Sequence, residues 1–193
     1  MDYNIISSIM ELEKIMQKII DKLLRGFVMP KTKIQTDAIN EYANAAKEIM
    51  KDAQERSALL GKKLHNLFCC ARRYWDYYLE DRFAEGLLFG IIAALDIFGS
   101  SGTPGVYGCL KGISNPRGLY YRSDNEKKAE DLLRREQLAV KRKFKHEAET
   151  VDKLCICAEN ICRIYENYYW KEGLHAGNAL GINAVFILDK LRE

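Results

Sequence analysis

Apolar residues recur along most of this chain at steps of three and four, the spacing that lines one face of a helix rather than one face of a strand. Ile5, Ile9, Leu12, Met16, Ile19 and Leu23 follow one another at steps of 4, 3, 4, 3 and 4. This heptad seam predicts a helix over about 3–25 packed lengthwise on another. Gly26 and Pro30 stop it, so 1–29 reads as an N-terminal heptad helix. A second helix opens on a capping box, Thr32-x-x-Gln35. Its stripe is Tyr42, Ala46, Ile49, Ala53, Ser57, Leu60, Leu64, Leu67, Ala71, Tyr74 and Tyr78. The phase never slips over that stretch, so one long helix or two nearly collinear ones fit it. Gly61 is its weak point, costing about 1 kcal/mol relative to alanine. After Tyr78 the phase does slip, and the next apolar set starts at Phe83. The slip predicts a kink near 80–82 and a short further helix ending at Phe98.

The second half repeats the first. A shift of 91 residues lays Ser123-x-x-Glu126 on the first capping box. The same shift lays Leu133, Val140, Phe144, Ala148, Val151, Cys155, Ala158, Cys162, Tyr165 and Tyr169 on the first stripe. Eight of the 23 positions from Arg72 to Ala94 are identical in the copy, among them Tyr78/Tyr169, Gly86/Gly177 and Gly90/Gly181. These agreements in one register read as an internal duplication. Gly and Pro crowd the stretch between, which divides the chain into units 32–98 and 123–193, each a long helix followed by a short one, with an irregular linker over 99–122. The expected fold is all-α, a helical bundle with long heptad-patterned helices.

Composition narrows the function. The chain has 193 residues, 30 basic against 27 acidic, and a formal net charge of +3. That balance is mild for a protein that works by neutralising nucleic-acid phosphate. The longest apolar stretch, Phe83 to Phe98, carries Glu85 and Asp96 and is too short to span a bilayer, so no membrane role is expected. No basic segment with an apolar run and a cleavage site opens the sequence, which places the expected site of action in the cytoplasm with reduced cysteines. Of the six cysteines, Cys155-x-Cys157 sets its sulfurs on opposite sides of a helix, a poor chelate. No metal and no cofactor are expected.

The glycine pairs Gly86-x-x-x-Gly90 and Gly177-x-x-x-Gly181 favour close approach of another backbone. Candidate binding residues lie elsewhere. Arg73, Trp75 and Tyr77, with Tyr168 and Trp170 in the second half, fall off the core stripe, and aromatics with arginine are enriched where proteins or bases are bound. Arg117, Tyr120, Tyr121 and Arg122 of the linker form a second tier. The basic run Lys141 to His146 is diluted by acids and reads as a solvated face. His65, His146 and His175 are scattered. Glu80, Asp81 and Glu85 cluster, but the copy has Lys171, Glu172 and Ala176 there. No catalytic residue is assigned.

Phe83-x-x-Gly86-x-x-x-Gly90, preceded by a long amphipathic helix, resembles short uncharacterised helical proteins carried by phages and mobile elements of Firmicutes. The likeness covers one short helix in each half. The second copy departs from it, with Leu174 for Phe83 and Asn178 for Leu87. The resemblance implies a small accessory protein that binds and blocks a host protein, including CRISPR or other defence machinery. The expected function is therefore a non-enzymatic protein-binding module whose partner is a host protein, with a homodimer also open. The alternative is a nucleotide or nucleic-acid binder using the aromatic and arginine segments. A purely structural coiled-coil adaptor is a third reading.

Overall fold

The computed structural model describes residues 32–98 and 122–190, together with Lys18, Lys22 and Leu23. Contacts divide the chain into Met1–Thr32 and Lys33–Glu193, and the architecture below is that of the second unit. Most of the N-terminal heptad helix and of the linker lies outside the described residues.

Four α-helices account for nearly all of the described chain: α1 (Lys33–Arg56), α2 (Ala58–Phe98), α3 (Asp124–Lys143) and α4 (Ala148–Lys190). A single 3₁₀ turn, Lys145–Glu147, links the last two. The protein is all-α, a helical bundle. Each half is thus a shorter helix, an elbow and a very long helix. The 41 residues of α2 and 43 of α4 make rods of about 60 Å at 1.5 Å per residue.

The break in the first half falls at Ser57, where the stripe alone was compatible with an uninterrupted helix. Ser57 still donates its N–H to the Ala53 carbonyl at 2.9 Å, and its Oγ accepts from Leu60 N at 3.4 Å, so the hydroxyl serves the new helix start. Gly61 is what lets the chain fold back. A Cβ there would sit 2.7 Å from Gln54 Cβ and 2.8 Å from its Cα. In a straight helix residues seven apart are separated by about 10 Å along the axis. At the second elbow Phe144 leaves helical geometry at φ −124°, ψ 69°. Arg56 pairs with Glu147 and so ties one elbow to the other, while Lys141 and Asp152 close the second at 2.6 Å.

The predicted kink at 80–82 is absent: α2 runs through it unbroken. The slip in phase marks a change of neighbours instead. Up to Ala71 the helix buries one face, Leu60, Leu64, Leu67 and Ala71, in a core with Ala46, Ala53, Leu133, Val140, Val151, Leu154 and Ala158. From 81 to 87 every consecutive residue is buried, so the helix is covered on all sides there. Each half is accordingly short-plus-long, the reverse of the expected long-plus-short order.

The long helices run parallel. A Cβ on Gly86 would fall 2.1 Å from the Trp170 carbonyl oxygen, and one on Gly90 would fall 2.3 Å from that of Leu174. From the other side, Gly173 and Gly177 would strike the Phe83 and Leu87 oxygens, both at 2.1 Å. Residue numbers rise together on the two helices. Only hydrogen at these positions permits backbone-to-backbone contact.

Candidate functional site

Where α3 begins against the middle of α2, four ionisable side chains are buried: Asp81, Arg82, Glu85 and Glu126. Three come from the stretch of α2 that is covered all round, and Glu126 comes from the first turn of α3. Ser123 is the N-cap of α3 and its Oγ accepts from Glu126 N at 3.1 Å, as the sequence pattern requires. The reciprocal arm is different. Ser123 donates its own N–H to Asp81 Oδ2 at 2.7 Å, so a residue of α2 takes the place that a capping box gives to the Glu126 side chain. Glu126 turns instead toward Arg122 Nε at 3.0 Å, and Arg122 also pairs with Glu130.

Asp81 and Glu126 are thus both buried around the Ser123 turn, Asp81 through the serine's N–H and Glu126 through its own N–H to the serine Oγ. Burial pushes Asp81 up to about 7, and its contact with Glu126 adds to this, against the opposing pull of the Ser123 N–H. Beside them Arg82 pairs with Glu85 at 2.8 Å and lies 5.1 Å from the centre of the Tyr78 ring. The Tyr78 hydroxyl donates to Glu166 Oε1 of α4 at 2.7 Å. The cluster therefore joins α2, α3 and α4, and it can hold a proton at neutral pH. With Asp81 4% and Glu126 0% exposed, it lies under cover rather than on a face open to a substrate.

The aromatic candidates fall into two groups. Trp75 packs against the core, with its ring tilted against Tyr74 at 4.7 Å and edge-on to Tyr78 at 5.3 Å. Trp170 lies 6.0 Å from Phe89, in the seam between α2 and α4. Arg122 is engaged by its two carboxylates. Arg73, in contrast, is exposed and lies 5.9 Å from the Tyr77 ring, and Tyr168 is half-buried. Arg117, Tyr120 and Tyr121 lie outside the described residues. The structure thus brings Trp75 into a cluster with Tyr74 and Tyr78 and leaves Arg73 and Tyr77 as a separate pair.

Two other surfaces stand out. Near the end of α4, Phe186 is 65% and Ile187 60% exposed, with Leu180, two turns before Ile187, at 40%. At the first elbow an open groove of about 370 Å³ is ringed by Lys47, Lys51, Lys62 and His65. Among the described residues no three His, Cys, Asp or Glu side chains converge in a way that would hold a metal ion. No described helix is long and apolar enough to cross a membrane.

Sequence reasoning passed over Asp81 because the acidic cluster is not kept in the second half. It also passed over Gly173, whose spacing of four from Gly177 was there to be read. Comparison of the chain with known protein families, curated proteins and solved structures finds no match.

Proposed function

We propose that this chain is a non-enzymatic helical protein-binding module, an accessory protein of a phage or mobile element that acts by occupying a surface of a host protein, with inhibition of CRISPR or other antiviral defence as its setting. The observation that carries this reading is the outward apolar face of α4. Phe186 and Ile187 stand side by side, both mostly exposed, and neighbouring large apolar side chains left open to water favour contact with another protein. Further back along the same helix, α4 is held to α2 by backbone contact at Gly86, Gly90, Gly173 and Gly177. The likeness of Phe83-x-x-Gly86-x-x-x-Gly90 to mobile-element proteins supports the setting. Arg73 and Tyr77 add an arginine and aromatic pair of the kind enriched at interfaces.

Affinity capture from a Firmicutes lysate tests it. The expected result is one host protein recovered in stoichiometric amount by the wild type and lost with Phe186→Asp and Ile187→Asp. Recovery of nothing, or recovery indifferent to both substitutions, contradicts the reading. Sedimentation of the purified chain in the same experiment separates a host partner from a second copy of this chain.

The runner-up, a nucleotide or nucleic-acid binder, is favoured by one observation, the lysine-ringed groove at the first elbow. A gel shift that weakens steeply with salt and is lost on Lys51→Glu and Lys62→Glu is its signature. The same proposal takes the two halves as copies of one module. Their shared order of helix, elbow and long helix supports this, as does the Arg56–Glu147 pair, whose members are 91 residues apart.

A further inference from the structure

We propose, resting on the runner-up reading of the groove at the first elbow, that this groove binds a small phosphorylated molecule, with Lys47, Lys51 and Lys62 meeting the phosphate oxygens. The groove lies between the end of α1 and the start of α2, so cationic side chains face it from both walls. Lys47 and Lys51 come from α1, and Lys62 and His65 from α2. No acidic residue lines it. Lys47 and Lys62 are exposed and enter no ion pair among the described residues. Asp52 is held by Arg56 at 2.8 Å, and Glu55 reaches Lys51 only at 3.9 Å, with both of those side chains mostly exposed. Such a pair in water contributes little, so Lys51 stays free to meet an anion.

The second elbow fills the same positions differently. A shift of 91 residues carries Met50, Ala58, Gly61 and Lys62 onto Lys141, Glu149, Asp152 and Lys153. There Lys141 pairs with Asp152 at 2.6 Å and Lys153 with Glu149 at 2.7 Å, so the chain's own carboxylates occupy these cations. At the first elbow an alanine and a glycine stand in place of both acids. Lys62 therefore lacks the carboxylate that Lys153 has, and the space between the walls is an open groove of about 370 Å³. An anion from solution takes the place of the missing acids.

The donor set selects the anion. A planar carboxylate is matched best by the fork of an arginine, and the lining has none. Lysines are compact point charges, and three of them suit a group that spreads more than one negative charge over several oxygens, as phosphate does. The volume is that of a small-molecule site, and Met50 and Ala58 offer an apolar wall to the rest of the ligand.

Isothermal titration of the full chain with ADP, inorganic pyrophosphate and adenosine is the test. ADP and pyrophosphate are expected to bind and to compete with each other, and adenosine is expected not to bind. Lys62→Glu should weaken both phosphate ligands by at least about tenfold. Ala58→Glu, at an exposed position, should do the same with the thermal melt unchanged, because it gives Lys62 the partner that Lys153 has. Lys153→Glu at the second elbow should leave binding as it is. Absence of both ADP and pyrophosphate binding overturns the site. So does adenosine binding as tightly as ADP, binding indifferent to both first-elbow variants, or an equal loss with Lys153→Glu. A gel shift with a DNA duplex, run beside the titrations, keeps the two readings apart. Duplex binding without ADP or pyrophosphate binding sinks the small-molecule site and leaves nucleic-acid binding standing, whereas failure of all three sinks both.

Discussion

Ser123 donates its backbone N–H to the carboxylate of Asp81 at 2.7 Å across 42 residues of sequence, so the cap of one helix is finished by the flank of another. That bond turns a local helix-start signal into a tertiary contact. It also brings a second carboxylate to Glu126, and with it the pH sensitivity of the junction.

The sign of that sensitivity follows from Asp81. Its carboxyl is raised from 3.8 to about 7 in the folded chain, so between those values the native state binds more protons than the unfolded one. The stabilising contribution is complete below about pH 4 and is lost as pH rises through 7. Urea midpoints should therefore fall from pH 5 to pH 8 in the wild type, and the fall should shrink in Asp81→Asn.

The cap itself is open to a simpler test. Ser123→Ala removes the oxygen that accepts from Glu126 N at 3.1 Å. A loss of about 1 kcal/mol in chemical denaturation is expected, with the Asp81 bond to the backbone kept.

Glycine spacing predicts the largest effects. A methyl group at Gly86, Gly173 or Gly177 lands 2.1 Å from a carbonyl oxygen of the facing helix, so the helices must separate. Each alanine variant should lose about 3 kcal/mol or more, whereas an ordinary helical Gly→Ala gains about 1 kcal/mol. Denaturation of the three single variants, read beside Gly181→Ala, checks it. At Gly181 the nearest atom is the Ala94 methyl at 2.6 Å, and a smaller loss is expected.

Much of this was legible in the sequence, and the misses have physical reasons. The stripes of Leu60, Leu64, Leu67 and Ala71 and of Val151 and Ala158 are the observed core, because an amphipathic helix advertises its buried face at every turn. The kink expected at 80–82 was a change of partner: once α4 and the start of α3 close round α2, apolar phase stops reporting on helix continuity. The break at Ser57 is invisible to a stripe that continues in phase across it. The register of the long helices was also hidden. Identities relate Gly86 to Gly177 by 91 residues, yet in space Gly86 lies between Trp170 and Leu174, beside Gly173. The contact is one helical turn out of step with the repeat. Asp81 could not be found, since its partner depends on a fold that brings 81 and 123 together.

Cysteine chemistry separates surface from core. Burial pushes the Cys162 thiol up to about 12, with Glu166 adding to it, while Cys69 is exposed on α2. A thiol reagent at pH 8 should modify Cys69 in the native protein and reach Cys162 only after unfolding. Mass spectrometry of digested samples reads both sites.

The parallel course of α2 and α4 underlies the glycine contacts between the two long helices. Spin labels on a cysteine-free background measure it directly, with one at Lys62 of α2 and the second at either Lys153 or Ala179 of α4, all three exposed. Parallel packing predicts a short Lys62–Lys153 distance, set by helix axes about 10 Å apart plus the label arms, and a Lys62–Ala179 distance of about 45 Å. The reverse order, with Lys62 nearer Ala179 than Lys153, would contradict the account.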